Sequence, residues 1–180
     1  MELNHEQTLK WIEQHRAWRL AHKTKPIWAR PVQADEVGKE YQTADRAKET
    51  AREGYWLCVG VAGEPWFQKL EKIEAKYDRG PDETKQFSFD SQPHMYHVYQ
   101  PKPGTRNWAA QVQGPGIAGF SVRPNYDVEH PLYSSAGGYL VKNHIPDPYH
   151  DHPNDVWLVQ QPLFESTYEL VAGDEANQEK

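Results

Sequence analysis

The feature that most constrains this chain is an internal repeat anchored on tryptophan. Trp28-Ala29-Arg30-Pro31-Val32 and Trp108-Ala109-Ala110-Gln111-Val112 share a W-A-x-x-V pattern. Gly54-Tyr55-Trp56-Leu57 corresponds to Gly138-Tyr139-Leu140-Val141, and Glu64-Pro65-Trp66-Phe67 to Asp155-Val156-Trp157-Leu158. Ile73-Glu74-Ala75-Lys76-Tyr77 corresponds to Phe164-Glu165-Ser166-Thr167-Tyr168. Trp66 to Tyr77 and Trp157 to Tyr168 are both eleven residues, whereas Gly54 to Trp66 is 12 against 19 for Gly138 to Trp157. The second copy therefore carries a seven-residue insertion. Two copies are too few for a solenoid. Modules near residues 24–78 and 93–170 are each marginal in size alone, so the repeat predicts that they pack together with pseudo-twofold symmetry.

The repeat also says where the apolar side chains belong. Mean hydropathy is −0.93 and only 37% of residues are hydrophobic, a balance that by itself suggests disorder. Seven Trp and ten Tyr offset it, since each large aromatic buries about 150–250 Å². Trp28, Trp66, Trp108 and Trp157 fall in matched pairs, which makes them core residues. Twenty Lys+Arg against 26 Asp+Glu leave a net charge of −6, which excludes broad electrostatic binding to nucleic acid or an anionic membrane. The lone Cys58 excludes an internal disulfide and the multi-cysteine zinc motifs, and it fits a reducing compartment. No apolar run approaches the roughly 18 residues of a membrane span, and no signal-peptide pattern follows Met1. A cytoplasmic protein is the expectation.

Local signals predict the elements. Asn4 to His22 lacks Gly and Pro, with Asn4 as cap and Trp11, Ile12, His15 and Trp18 on one side; it reads as a helix. Residues 25–32 are strand-like, and their two prolines put them at a sheet edge or a bend. Thr43 to Glu53 is a second predicted helix, Tyr55 to Val61 the strongest strand, Trp66-Phe67 another, and Leu70 to Tyr77 a short helix. Residues 79–92 are a linker. Short strands follow at 95–99, 108–112, 120–122, 139–142 and 156–159, and residues 171–180 form a polar tail. The predicted fold class is α+β: an N-terminal helix over 1–23, then two related β-rich modules with short helices, each a small barrel or curled sheet.

The second copy, Ala136-Gly137-Gly138-Tyr139-Leu140-Val141, then Val156-Trp157, then Phe164-Glu165-Ser166-Thr167-Tyr168, resembles the PGDYG domain family. Val59-Gly60-Val61-Ala62-Gly63-Glu64-Pro65-Trp66 is similar to that family's hairpin. Gly138 stands where the family carries Asp, and Ala136 where it carries Pro. The resemblance implies a compact β-rich module of bacterial or phage origin. It implies no catalytic residue.

Several clusters could carry chemistry. His144, His150, Asp151 and His152 offer imidazole and carboxylate ligands for a metal and fall in the inserted segment, which is otherwise a proline-rich polar loop. His94-Met95-Tyr96-His97-Val98-Tyr99 alternates, placing His94, Tyr96 and Val98 on one face. His94 or His97 could do acid–base work there. Glu64 and Asp155 are repeat-related acids, each two residues before a Trp. Arg30, Arg106, Arg123 and Lys142 are candidates to neutralise an anion. Pro115 to Gly119 with Arg123 is a weak phosphate cradle, and Cys58 reads as a buried small hydrophobe.

No catalytic constellation is coherent, so the leading expectation is a non-enzymatic, phage-encoded binding module without a cofactor. It would recognise a partner protein or a small anionic ligand in the host cytoplasm, using Arg30, Arg106, Arg123, Lys142, Glu64, Asp155 and Tyr96 between the modules. The alternatives are a metal-assisted hydrolase or lyase on the His144–His152 loop, and a virion or assembly component forming a homo-oligomer.

Overall fold

A computed structural model describes residues 1–43, 48–123, 131–149 and 156–172. In chain order it contains β1 (Glu2–Leu3), α1 (His5–Gln14), β2 (Trp18–Lys23), β3 (Ile27–Pro31) and a 3-10 turn (Ala34–Glu36). Then come β4 (Glu40–Gln42), β5 (Lys48–Thr50), β6 (Trp56–Val59), β7 (Pro65–Gln68), α2 (Leu70–Lys76), β8 (Tyr77–Lys85) and β9 (His94–Pro101). The last third holds β10 (Asn107–Gln111), β11 (Gly119–Val122), β12 (Leu132–Ser135), β13 (Tyr139–Asn143), β14 (Val156–Val159), α3 (Gln161–Thr167) and β15 (Tyr168–Leu170).

The α+β expectation is corrected: strand makes up 45% of the described residues and helix 17%, so the protein is mostly β. The predicted helix over residues 4–22 stops at Gln14. Its start is as read, because the Gln7 N–H donates to Asn4 Oδ1 at 2.9 Å and the Asn4 N–H to Gln7 Oε1 at 2.9 Å, a reciprocal cap. It ends where Arg16 takes a left-handed φ of 48°. Beyond that, Trp18 and Leu20 are buried and Arg19 is exposed, the two-residue period of a strand. The predicted helix over 43–53 is also corrected, since Lys48–Thr50 pairs antiparallel with Glu40–Gln42. Residues 79–85, read within a linker, form most of β8. Nor does β3 lie at an edge: it sits centrally in its sheet, with Pro31 as its last residue.

The chain does not form a terminal helix followed by two consecutive modules. It divides into two units, one built from Met1–Lys23 with Arg106–Lys180 and the other from Thr24–Ala44 with Lys48–Thr105. In the first, a five-stranded sheet runs β14-β13-β10-β2-β15, and a small sheet runs β1-β11-β12. One sheet face packs Trp18, Ala110, Leu140 and Leu158 against Ile12 of α1 and Phe120 of β11. The other packs Ala109, Tyr139 and Val141 against Phe164 of α3. Tyr139, Phe164 and Tyr168 stack in series, with centroids 3.6 and 4.7 Å apart.

In the second unit the sheet runs β7-β6-β3-β9-β8 and the β4–β5 hairpin accompanies it. Ala29, Cys58 and Tyr99 meet Ile73 of α2 on one face. Leu57, Val59 and Tyr96 meet Tyr41, Phe87 and Phe89 on the other. That second cluster holds the loop after β8 against the sheet. Among the described residues no helix is long and apolar enough to cross a membrane.

Candidate functional site

The most concentrated chemistry lies on that aromatic-lined face of the second unit. Arg30 on β3 is 2% exposed, a burial that an arginine tolerates only when its charge is matched. The 3-10 turn after β3 supplies one match. The Gln33 N–H donates to Glu36 Oε2 at 2.9 Å, which fixes the Glu36 carboxylate facing back along the strand. Arg30 then donates through Nη1 to Glu36 Oε2 at 2.8 Å and through Nη2 to Glu36 Oε1 at 2.5 Å. This two-pronged geometry is what the guanidinium fork favours.

The second match comes from 60 residues away: Arg30 Nη2 donates to Asp90 Oδ1 at 3.1 Å. Asp90 Oδ2 accepts a short hydrogen bond from the hydroxyl of Tyr96. A turn bond from the Asp90 N–H to the Phe87 carbonyl, 3.0 Å, shapes this loop. Phe87 packs edge-on to Tyr96 at 5.1 Å, and Phe89 edge-on to Tyr41 at 5.5 Å. Aromatic packing thus carries the loop to the arginine.

The charges follow from these contacts. Burial opposes the Arg30 charge, yet the hydrogen bonds to Glu36 and Tyr96 outweigh it and raise its pKa. Burial would lift Glu36, but Arg30, the Gln33 N–H and His94 together pull it below its ordinary value. Burial and the neighbouring Asp90 push the Tyr96 phenol up. At neutral pH Arg30 is a cation, Glu36 an anion and Tyr96 a neutral donor.

A polar pocket of about 160 Å³ opens over this network, lined by Gln33, Asp35, Glu36, Lys39, Asp90 and His94 among others. Glu36, Asp90 and His94 each offer one ligand atom there, all within 4.8 Å of one another. His94 and Tyr96 share a face of β9, as their alternation predicts. His94 is half-buried, and no hydrogen bond engages its ring among the described residues.

The other sequence candidates do not gather around this pocket. Lys142, on β13 of the first unit, is 1% exposed, donates to the Pro148 carbonyl at 2.5 Å and lies 4.4 Å from the Trp18 ring. It serves a core position rather than a surface anion. Arg106 precedes β10, and the exposed Arg123 donates its backbone N–H to His5 Nδ1 at 2.9 Å. The Pro115–Gly119 turn is occupied locally, because the Met1 ammonium donates to the Gly116 carbonyl at 2.8 Å. Glu64 folds its carboxylate over Gly60, where a Cβ would stand 1.7 Å from Oε1. The exposed His144 stacks on Trp108 at 5.8 Å. His150, Asp151, His152 and Asp155 lie outside the described residues. His97 pairs with Asp82 across β8 and β9, and that hydrogen bond lowers the Asp82 pKa. Cys58 is fully buried.

Glu36 and Asp90 were not singled out by the sequence. Neither sits in a motif, and they stand 54 residues apart. The available signal was indirect: Arg30 falls at an inward position beside Ala29 on a strand whose neighbours are apolar, and a buried arginine requires acids nearby.

No family model, no curated protein and no solved structure matches the chain.

Proposed function

We propose that this chain is a binding protein rather than an enzyme, and that its ligand in the pocket over Arg30 is a divalent metal cation held by Glu36, Asp90 and His94. The observation that carries the proposal is the convergence of two carboxylates and an imidazole within 4.8 Å. Three tetrahedral donors at about 2.0–2.2 Å from one ion stand about 3.3–3.6 Å apart, so side-chain shifts on the order of 1 Å close the set. One imidazole with two carboxylates suits zinc, manganese or ferrous iron. Arg30 supports this role: it cancels part of the carboxylate charge, fixes both groups from behind and leaves the cluster net negative.

The expected anionic ligand gives way to a cation because Arg30 is already matched by two acids. A cytoplasmic, phage-encoded binding module stays part of the proposal, supported by the single buried thiol and the PGDYG likeness.

Isothermal titration of Zn²⁺ and of Mn²⁺ into chelator-stripped, untagged protein tests it. One site per chain is expected for at least one of the two ions. His94→Ala, which leaves the Arg30 network intact, is expected to weaken binding by tenfold or more without lowering the metal-free melting temperature. Absence of a site, or a His94→Ala affinity equal to wild type, overturns the assignment.

A further inference from the structure

The two five-stranded sheets are laid out alike to the residue. Trp28 faces Val59 on β6, and Trp108 faces Lys142 on β13. Trp66 faces Cys58, and Trp157 faces Val141. α2 and α3 are seven residues long, and each hands over to a tyrosine whose N–H donates to the helix residue four before it, Ile73 or Phe164. This register shifts one sequence correspondence by a residue. Trp56 takes the place of Tyr139, so Gly54 matches Gly137, and both have left-handed φ, 82° and 97°.

The remaining strand of each sheet comes from the wrong side of the repeat. Between β3 and β8 lies β9, with Ile27 facing Tyr99 and Tyr77 facing Pro101. Between β10 and β15 lies β2, with Asn107 facing Ala21 and Tyr168 facing Lys23. Ala21 and Lys23 therefore hold the places of Tyr99 and Pro101. Along the chain, however, β2 runs directly into β3, and β9 into β10. Their sequences also correspond: Trp18-Arg19-Leu20 and Tyr96-His97-Val98 each read aromatic, basic, aliphatic. Each then leads through a proline-containing connector, Thr24–Pro26 or Lys102–Arg106, into a W-A-x-x-V strand.

We infer that β2 and β9 are equivalent first strands of an internal repeat, exchanged between the two sheets, so that each sheet accepts either strand in one register. The linear order of elements supports exchange: strand, β3, β6, β7, α2, β8, then strand, β10, β13, β14, α3, β15. In the unexchanged arrangement β2 folds back on β3 and faces β8, while β9 folds back on β10 and faces β15. All pairings are antiparallel in both arrangements, and with Ala21 facing Ile27 and Tyr99 facing Asn107 the folded-back connections have five and seven residues in which to turn.

Four positions report which arrangement is present. His22 faces Glu169 and Asp78 faces Gln100 as observed; unexchanged, His22 would face Asp78. In the full-length native chain, His22→Cys with Glu169→Cys is expected to form a disulfide under mild oxidation, and His22→Cys with Asp78→Cys is not. The deciding experiment transposes residues 18–23 and 96–101 within the full chain. Each strand sequence then recovers its present neighbours only by folding back in the unexchanged arrangement. Cysteines at positions 22 and 78 of that chain are expected to link within a monomer, with loss of the 22–169 link. A transposed chain that retains the 22–169 link, or that does not fold, overturns the inference. A second variant keeps the native order and lengthens both connectors with Gly/Ser residues. Its 22–78 product within a monomer supports the inference, and exclusive 22–169 linkage counts against it.

Discussion

At the scale of single residues, the Arg30 network is where burial and charge are most tightly coupled. Both the arginine and Asp90 are nearly inaccessible, so removing the cation leaves the buried Asp90 and the partly buried Glu36 without their counter-charge. Arg30→Ala is expected to cost about 3–5 kcal/mol, the usual penalty for breaking a buried pair from one side, measured by urea denaturation. Glu36 gives this network a pH dependence. Its folded-state pKa lies below its unfolded value, so its contribution is complete above the ordinary carboxylate range and is lost as pH falls through the folded value. Glu36→Gln should flatten the acid limb of a stability profile taken from pH 7 to about pH 3; an unchanged limb contradicts this. His5 behaves similarly at higher pH. Burial, with the charge of Arg123, lowers its pKa, and its Nδ1 must stay unprotonated to accept the Arg123 N–H. The sign is the same: stability present above the ordinary imidazole range fades as pH falls through the depressed value. The protection factor of the Arg123 amide, taken relative to its intrinsic exchange rate at each pH, should fall between about pH 7 and pH 5, and His5→Gln should remove that dependence.

At the scale of elements, what was legible in the sequence separates by the kind of force involved. The strands read at 55–61, 108–112, 139–142 and 156–159 form, within two residues at each end, as β6, β10, β13 and β14, because apolar runs bounded by turn residues carry their own signal. α2 was legible from the spacing of Leu70 and Ile73. β2 was not, because Trp18 continues the helical spacing of Trp11, Ile12 and His15; pairing with β10 and β15 decided it. β8 was hidden for the opposite reason. Most of its residues are exposed, so its sequence has no alternation, and hydrogen bonding to β9 alone makes it a strand. The candidate site was half legible. Arg30, His94 and Tyr96 were named, but Glu36 and Asp90 reach them only through the 3-10 turn and the Phe87–Asp90 loop. The helices α2 and α3 offer a direct comparison of how much each element contributes. Phe164 lies between two tyrosine rings, whereas Ile73 belongs to a cluster that mixes Ala29 and Cys58 with Tyr99. Phe164→Ala is expected to cost about 3–5 kcal/mol and Ile73→Ala about 2–5 kcal/mol, both readable as shifts in denaturant midpoint.

At the scale of the whole molecule, the two units have cores made of different residues, and the chain passes between them at Thr24 and again at Arg106. A cavity placed in one core should therefore act first on the amides of its own sheet. Leu140 is fully buried at the centre of the first unit's larger sheet, facing Ala110 on β10 and Leu158 on β14. Leu140→Ala should lower that unit's stability by about 2–5 kcal/mol. In hydrogen exchange, the amides of β10, β13 and β14 are expected to lose protection, while those of β3, β6 and β9 keep theirs at native levels. Equal loss in both sheets would mean that the chain opens as one cooperative body, and that two separate cores do not make two separate foldons. The same measurement bears on the proposed metal site. All of its ligands belong to the unit built on β3 and β9, so Leu140→Ala should leave metal affinity unchanged even as the other sheet loosens.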